Sequence, residues 1–193
     1  MTRIVAGVAR GRRLSVPPAG TRPTADRVRE AMFSTWESRL TGLSGLRVAD
    51  LFAGSGAVGL EALSRGAELA ILVESDRRAA AVIATNIDAV GLPGAVLVVS
   101  DVVRLVGAPP PAQVGGPLDL VFLDPPYELA DDVVESVLTG LVEHGWLVDG
   151  ARVVVERSRR GSGFRWPDDF EPARDRQYGD TMIRTALWYR RES

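Results

Sequence analysis

The chain has 193 residues, 46% of them hydrophobic and 25% charged, a composition that suits one globular domain with room for a small appendage. Cysteine is absent and histidine occurs once, which excludes disulfides, iron–sulfur clusters and thiol nucleophiles, leaves no basis for a metal site, and leaves the chemistry to oxygen groups, backbone and an organic cofactor. The net charge of −2 hides a segregation: all 23 basic residues are arginine, with eight against three acids in residues 1–39, five against fifteen in 40–151, and ten against seven in 152–193.

From Arg3 to Val16 two β-prone stretches, RIVAGV and RRLSV, flank a turn near Gly11 and predict a hairpin. Its arginines Arg10, Arg12 and Arg13 suit phosphate contacts, because a guanidinium binds phosphate oxygens through paired hydrogen bonds. A solvated surface accounts for the same charges equally well. Pro17, Pro18, Gly20 and Pro23 then break regular structure. Thr24 is a candidate N-cap for a helix to about Leu40, in which Val28, Met32, Trp36 and Leu40 recur at helical spacing and mark a core face. After TGLSG (41–45) the pattern alternates. LRVADLF (46–52), ELAILVE (68–74), AVLVVS (95–100), LDLVFLD (118–124) and ARVVVER (151–157) read as buried strands. Helices begin near Ala57 and run over 76–91 and 131–145, and the Pro- and Gly-rich stretch 108–117 is a surface loop. Such alternation implies a parallel sheet with helices on both faces. The tail differs: FEPARDRQYG and TMIRTALWYRR predict two strands joined at Gly179-Asp180. A C-terminal antiparallel hairpin on a mostly parallel sheet fits the seven-stranded methyltransferase variant of the doubly wound, Rossmann-like α/β fold better than an ordinary dinucleotide-binding domain. No apolar run reaches the roughly 18 residues of a membrane span. MTRIVAGVARGRR also lacks the apolar stretch of a secretory signal, so a cytoplasmic protein without membrane contact is expected.

Gly54, Gly56 and Gly59 form G-x-G-x-x-G between a strand and a helix, the context in which that motif has meaning. Glycine lets the backbone approach a ligand, and either a nicotinamide dinucleotide or S-adenosylmethionine can use such a loop. Glu74 ends the second strand, where a carboxylate accepts both hydroxyls of a ribose. Asp101 ends the third, where it suits an adenine amino group. All lie at carboxyl ends of strands, the ligand-binding edge of open α/β sheets.

Asp124, Pro125, Pro126 and Tyr127 follow the fourth strand. An exocyclic amine on a base is a poor nucleophile because its lone pair is delocalised into the ring. The Asp124 carboxylate and the Pro125 carbonyl together can hold its two hydrogens and direct the lone pair at a sulfonium methyl. The prolines fix that carbonyl without adding donors, and Tyr127 offers a face for the base, with stacking worth about 1–3 kcal/mol. A hydride-transferring enzyme has no use for this element, so the dehydrogenase reading falls behind an amino methyltransferase.

DLFAGSG (50–56), Glu74, Asp101 and DPPY (124–127) together resemble the class I amino methyltransferases. More narrowly, RIVAG (3–7), RGRRL (10–14), RPTADRVREAMFSTW (22–36) and YGDT (178–181) resemble the RsmD-type bacterial methyltransferases of small-subunit ribosomal RNA, which act on guanine N2. The resemblance covers essentially the whole chain. It implies S-adenosyl-L-methionine held by Asp50, Phe52, Ala53, Gly54, Ser55, Gly56, Glu74, Ser75, Asp101 and Val102, with catalysis at Asp124, Pro125, Pro126 and Tyr127. It also implies RNA contacts from Arg3, Arg10, Arg12, Arg13, Arg22 and Arg27, with the partner 16S ribosomal RNA in a small subunit or an assembly intermediate. Residues 1–21 are then a basic RNA-recognition hairpin and 22–193 the methyltransferase domain of a monomer. Loss of 1–21 is expected to spare cofactor binding. DPPY alone also fits an adenine-N6 methyltransferase of DNA or RNA, and a binding module with a lapsed active site is disfavoured by the intact motifs. His144, at a helix end, has no catalytic role indicated. Trp146, Trp166 and Trp188 read as packing, and Ser55 lacks the partners of a hydrolase nucleophile.

Overall fold

Every apolar stretch read as a strand within residues 46–124 forms one, within a residue or two of the expected bounds. The computed structural model describes residues 2–17, 26–40, 42–126, 128–159 and 163–191, side chains at 26, 39 and 40 excepted. The expected cap Thr24 and the breakers Pro18, Gly20 and Pro23 lie outside these. Two compact units divide the chain, Met1–Val99 and Ser100–Ser193. No helix among the described residues is long and apolar enough to cross a membrane.

The first unit contains β1 (Thr2–Arg3), β2 (Arg13–Leu14), α1 (Asp26–Leu40), β3 (Arg47–Leu51), α2 (Ala57–Ser64), β4 (Leu69–Glu74), α3 (Arg77–Val90) and β5 (Ala95–Val99). The last three strands are parallel, with β4 central: Asp50 pairs with Leu72 and Glu74 with Val99. Leu69–Val73 of β4 and Ala95–Val99 of β5 are unbroken apolar runs, as expected for strands of a covered parallel sheet, whereas β3 is interrupted by the buried Asp50. Asp76 caps α3, its Oδ1 accepting from Arg78 N and Ala79 N, both at 2.8 Å, and Gly91 closes it in the left-handed conformation at φ 66°.

The amino-terminal hairpin is a correction to the sequence reading. Only two residue pairs form a ladder, Thr2 with Leu14 and Arg3 with Arg13, in place of strands spanning 3–8 and 12–16. The reason is where the backbone donors go. Val5 N and Ala6 N donate to the two oxygens of the Glu61 carboxylate at 2.7 and 2.9 Å. Val8 N donates to the Ser64 carbonyl, and Ala9 N to Ser64 Oγ. The segment is thus an arm docked on α2, with Ile4, Ala9 and Leu14 in the core. Gly7, at φ 81°, is required there, since a Cβ would lie 1.8 Å from the Ser64 carbonyl oxygen.

Glu61 has no solvent exposure and collects charge partners as well: Arg65 Nε at 2.9 Å and the fully buried Arg29 of α1 at 3.6 Å. Arg29 in turn donates to Thr2 Oγ1 and to the Arg3 carbonyl. Arg65 bridges to Glu37 at 3.0 Å.

The second unit contains α4 (Val102–Val106), a 3-10 turn at Ala112–Val114, β6 (Leu118–Leu123), α5 (Asp131–Glu143), β7 (Leu147–Ser158), β8 (Phe170–Pro172), β9 (Arg176–Tyr178) and β10 (Thr181–Trp188). β7 is parallel to β6, and β10 antiparallel to β7. β7 begins four residues earlier than expected. Leu147 pairs with Leu118 and Arg152 with Leu120, so β7 spends five residues where β6 spends two, around Gly150 at φ 78°. The penultimate strand, expected to be continuous over 170–179, is interrupted at 173–175, and its pieces β8 and β9 share one edge of β10. Counting them as one and setting the β1–β2 pair aside, the units hold three and four strand positions, seven in all. Trp146 is fully buried, with Nε1 donating to the Ala108 carbonyl at 2.8 Å, as a packing role requires.

Replacing Glu61 by alanine removes an acceptor of two backbone amides and strands the buried Arg29. Unfolding in urea should show a loss of about 3–5 kcal/mol; a loss under about 1 kcal/mol would mean that the arm is held by its apolar contacts alone.

Candidate active site

Asp50 is buried on β3, and its Oδ2 accepts from Gly59 N at 2.9 Å. Gly59 lies in the first turn of α2, whose N-cap is Gly56 and so offers no side chain. The carboxylate of the adjacent strand therefore serves as the cap. Burial raises the Asp50 pKa from 3.8 to about 7, against the stabilising amide of Gly59, with the Glu74 charge pushing further upward.

Between Asp50 and α2 the chain passes through three left-handed residues, Phe52 at φ 64°, Gly54 at 55° and Gly56 at 74°. Phe52 is the one non-glycine residue with positive φ among those described, a conformation that costs on the order of 1–3 kcal/mol and tends to persist where a site demands it. The motif glycines divide their tasks. A Cβ at Gly56 would lie 2.8 Å from Leu72 Cδ2 and one at Gly59 3.0 Å from the same atom, so both serve the close packing of α2 on β4. Gly54 is the member whose role is turned toward the loop. Its N–H donates to Glu74 Oε2 at 2.9 Å, while Glu74 Oε1 accepts from Asp76 N at 2.8 Å. Ala53 N bonds the Val73 carbonyl, and Gly56 N the Ala53 carbonyl. Ser55 is buried, Ala53 is buried and Ser75 exposed.

Thus Asp50, residues 52–56 and Glu74 converge, and the loop amides at 54, 56 and 59 already have acceptors, two of them carboxylates. A pyrophosphate needs those amides free and no carboxylate beside them. Glu74 still has two of about four lone-pair sites open, the number that a vicinal diol fills.

In the second unit Asp101 caps α4, its Oδ1 accepting from Arg104 N at 2.8 Å, with the carboxylate exposed and Val102 buried behind it. Asp124 follows β6 directly and is half-buried, Pro125 is buried and Pro126 exposed. Tyr127 lies outside the described residues. The segment after the prolines is gripped by Arg157 of β7, 5% exposed, whose guanidinium donates to the Pro126 carbonyl at 3.3 Å, the Leu129 carbonyl at 2.7 Å and Asp131 Oδ1 at 2.9 Å. Of the expected RNA-contacting arginines, Arg3, Arg10, Arg12, Arg13 and Arg27 are exposed, Arg12 also reaching the Ala89 carbonyl at 3.2 Å; Arg22 lies outside the described residues.

Three buried polar residues that anchor these segments escaped the sequence reading: Glu61, Asn86 and Arg157. Each had a signal. Glu61 is the one charge in AVGLEALS, Asn86 the one polar member of the buried stripe Ala79, Ala80, Ile83, Asn86, Val90, and Arg157 follows Glu156 at the end of the buried run of β7.

A family model described as Conserved hypothetical protein 95 matches residues 2–187. Ribosomal RNA small subunit methyltransferase D of Escherichia coli strain K12 is 36% identical over 192 residues, 99% of this chain and 90% of that protein. The chain belongs to the methyltransferase D family. The enzyme of the same name from Haemophilus influenzae is 35% identical over 158 residues, covering 81% of this chain and 79% of its own. The solved structure of the Escherichia coli protein yhhF matches with a TM-score of 0.83 at 34% identity, over 98% of this chain and 99% of that one. The α/β fold, with its mostly parallel strands and antiparallel C-terminal pair, is thereby that of the methyltransferases.

Because the Asp50 pKa is raised on folding, the folded state keeps a proton between pH 4 and about 7 that the unfolded chain has released. This contribution to stability is present near pH 4 and is lost as pH rises through about 7. Denaturant unfolding of the wild type should therefore show a falling slope over this range that Asp50→Asn flattens. An Asp50→Asn variant with the wild-type slope would exclude Asp50 as the titrating group.

Proposed function

We propose that this chain methylates the exocyclic N2 amine of a guanine in small-subunit ribosomal RNA, using S-adenosyl-L-methionine. The observation that carries the reading is the carboxylate-lined glycine loop of the first unit; the second unit carries an Asp-Pro-Pro segment at the end of a parallel strand. The loop suits a cationic nucleoside without phosphates: Glu74 engages Gly54 N and keeps acceptor capacity for ribose hydroxyls, and the amides of Gly54, Gly56 and Gly59 already have acceptors. Gly54, Ser55, Gly56, Phe52 and Ala53 shape the loop, Asp50 holds it to α2, and Ser75, Asp101 and Val102 complete the set assigned to the cofactor.

When bound, S-adenosylmethionine would supply a methyl carbon activated by its sulfonium, with a neutral thioether as the leaving group. Asp124 and the Pro125 carbonyl hold the two amine hydrogens, which localises the lone pair on nitrogen, and the proton the amine must lose passes to the Asp124 carboxylate. Pro126 is held by Arg157, so the acceptor pair is set by rigid neighbours. Tyr127 is assigned the stacking surface for the base, which leaves its own stack to reach the site. Exposed Arg3, Arg10, Arg12, Arg13 and Arg27, together with Arg22, contact flanking phosphates. The names of the relatives support small-subunit ribosomal RNA as substrate; that a monomer takes it in the cytoplasm, from a small subunit or its assembly intermediate, is part of the proposal. Residues 1–21 serve as the RNA-recognition segment of a methyltransferase domain over 22–193.

Asp124→Ala should leave cofactor affinity within about threefold and lower kcat about a hundredfold or more, because it removes an acceptor needed in the transition state. Glu74→Ala should do the reverse, weakening cofactor binding about tenfold or more through loss of charge-assisted hydrogen bonds. Calorimetry with single-turnover kinetics separates the two, and an Asp124→Ala variant with normal turnover would remove that residue from the mechanism.

A further inference from the structure

The amino-terminal arm and the glycine loop meet on one side chain. Asn86 of α3 is 1% exposed, and nearly all of its hydrogen-bonding capacity is used. Its Oδ1 accepts from Ser15 N at 2.8 Å, and its Nδ2 donates to the Ser15 carbonyl at 2.9 Å and to the Ser55 carbonyl at 2.8 Å. Paired with both backbone groups of Ser15, the amide extends the short β1–β2 ladder onto α3. Its remaining hydrogen reaches the glycine loop. We infer that Asn86 is a positioning residue that ties the loop to the arm, so that the backbone of Ser15 contributes to affinity for S-adenosylmethionine. The inference rests on the assignment of residues 52–56 to that cofactor.

An asparagine amide can be turned end for end at little intrinsic cost, and its surroundings decide which end points where. Here two carbonyls demand the NH2 end and one N–H demands the oxygen, so a single orientation satisfies all three. Two of those three groups belong to Ser15. The Ser55 peptide is then held on one side by Asn86 and, through Gly54 N, on the other by Glu74. Flanked by Gly54 and Gly56, both left-handed, this peptide has little steric restraint of its own. Without Asn86 the buried Ser55 carbonyl loses its donor and the loop its fixed geometry. The expectation that loss of residues 1–21 spares cofactor binding is accordingly replaced. That deletion removes Ser15 from Asn86, Val5 and Ala6 from Glu61, and Ala9 from Ser64.

Three variants test this. Asn86→Asp keeps the acceptor for Ser15 N but turns an oxygen toward the two carbonyls. Ser15→Pro removes one N–H from an exposed residue. Val90→Ala truncates a buried residue on the same stripe of α3 and serves as the control for general loosening. Melting temperature, calorimetric Kd for S-adenosylmethionine and kcat at saturating cofactor are measured for each. Asn86→Asp should raise Kd about tenfold or more and Ser15→Pro severalfold, with kcat at saturation within about twofold of wild type. The double variant should be no worse than Asn86→Asp alone, because both break the same chain of bonds. Val90→Ala should lower the melting temperature with Kd unchanged. Wild-type affinity in Ser15→Pro, or in a folded Asn86→Asp, overturns the inference while leaving the loop assignment in place. So does a Kd that tracks melting temperature across all three variants. A wild-type chain that binds no S-adenosylmethionine overturns the loop assignment, and the inference with it.

Discussion

Helix α2 has no face left for water: all eight of its residues, Ala57 to Ser64, are buried. A helix in that position must have its polar ends satisfied by protein, because an unpaired buried amide or carbonyl costs roughly as much as a hydrogen bond is worth. Much of the first unit is arranged to meet this demand. At the start, Asp50 reaches from β3 to the Gly59 amide. At the end, Ser64 accepts from Val8 through its carbonyl and from Ala9 through its hydroxyl, and returns a bond to the Ala6 carbonyl. Glu61, buried midway, gathers Val5, Ala6, Arg29 and Arg65. The arm is therefore part of the scaffold around α2, the helix that follows the glycine loop, while its arginines face outward.

The same arrangement gives the glycine loop its electrostatic character. In a dinucleotide site the amides at the start of the helix are left for phosphate. Here Asp50 and Glu74 take two of them, so the site is acidic and already hydrogen-bonded, which favours a cationic ligand with hydroxyls to offer. The raised pKa of Asp50 is a cost of enclosing that carboxylate, with the Glu74 charge adding to it. In the second unit the corresponding rigidity comes from Arg157, which uses three acceptors to hold the segment that follows Asp124 and the prolines.

Most of the fold was legible in the sequence because it rests on local signals: apolar strands alternating with helical stretches, and the Gly179-Asp180 turn. The candidate site was legible as motifs, since glycines and DPPY announce themselves by position after a strand. What stayed hidden depends on partners distant in sequence. The short ladder of the arm could not be foreseen, because its donors turn to Glu61 and Ser64, more than fifty residues on. Gly56 and Gly59 looked like ligand-facing residues, yet the space they leave is filled by Leu72. Asn86 and Arg157 are polar residues that only the fold shows to be buried, and they gain meaning only when their hydrogen-bond partners are known.

Nucleoside mass spectrometry of ribosomal RNA from cells with and without the gene tests the central assignment most directly. Loss of one N2-methylguanosine from small-subunit RNA, restored by the wild-type gene and not by an Asp124→Ala copy, is the result predicted. An unchanged N2-methylguanosine content, or the loss of an N6-methyladenosine in its place, would contradict it.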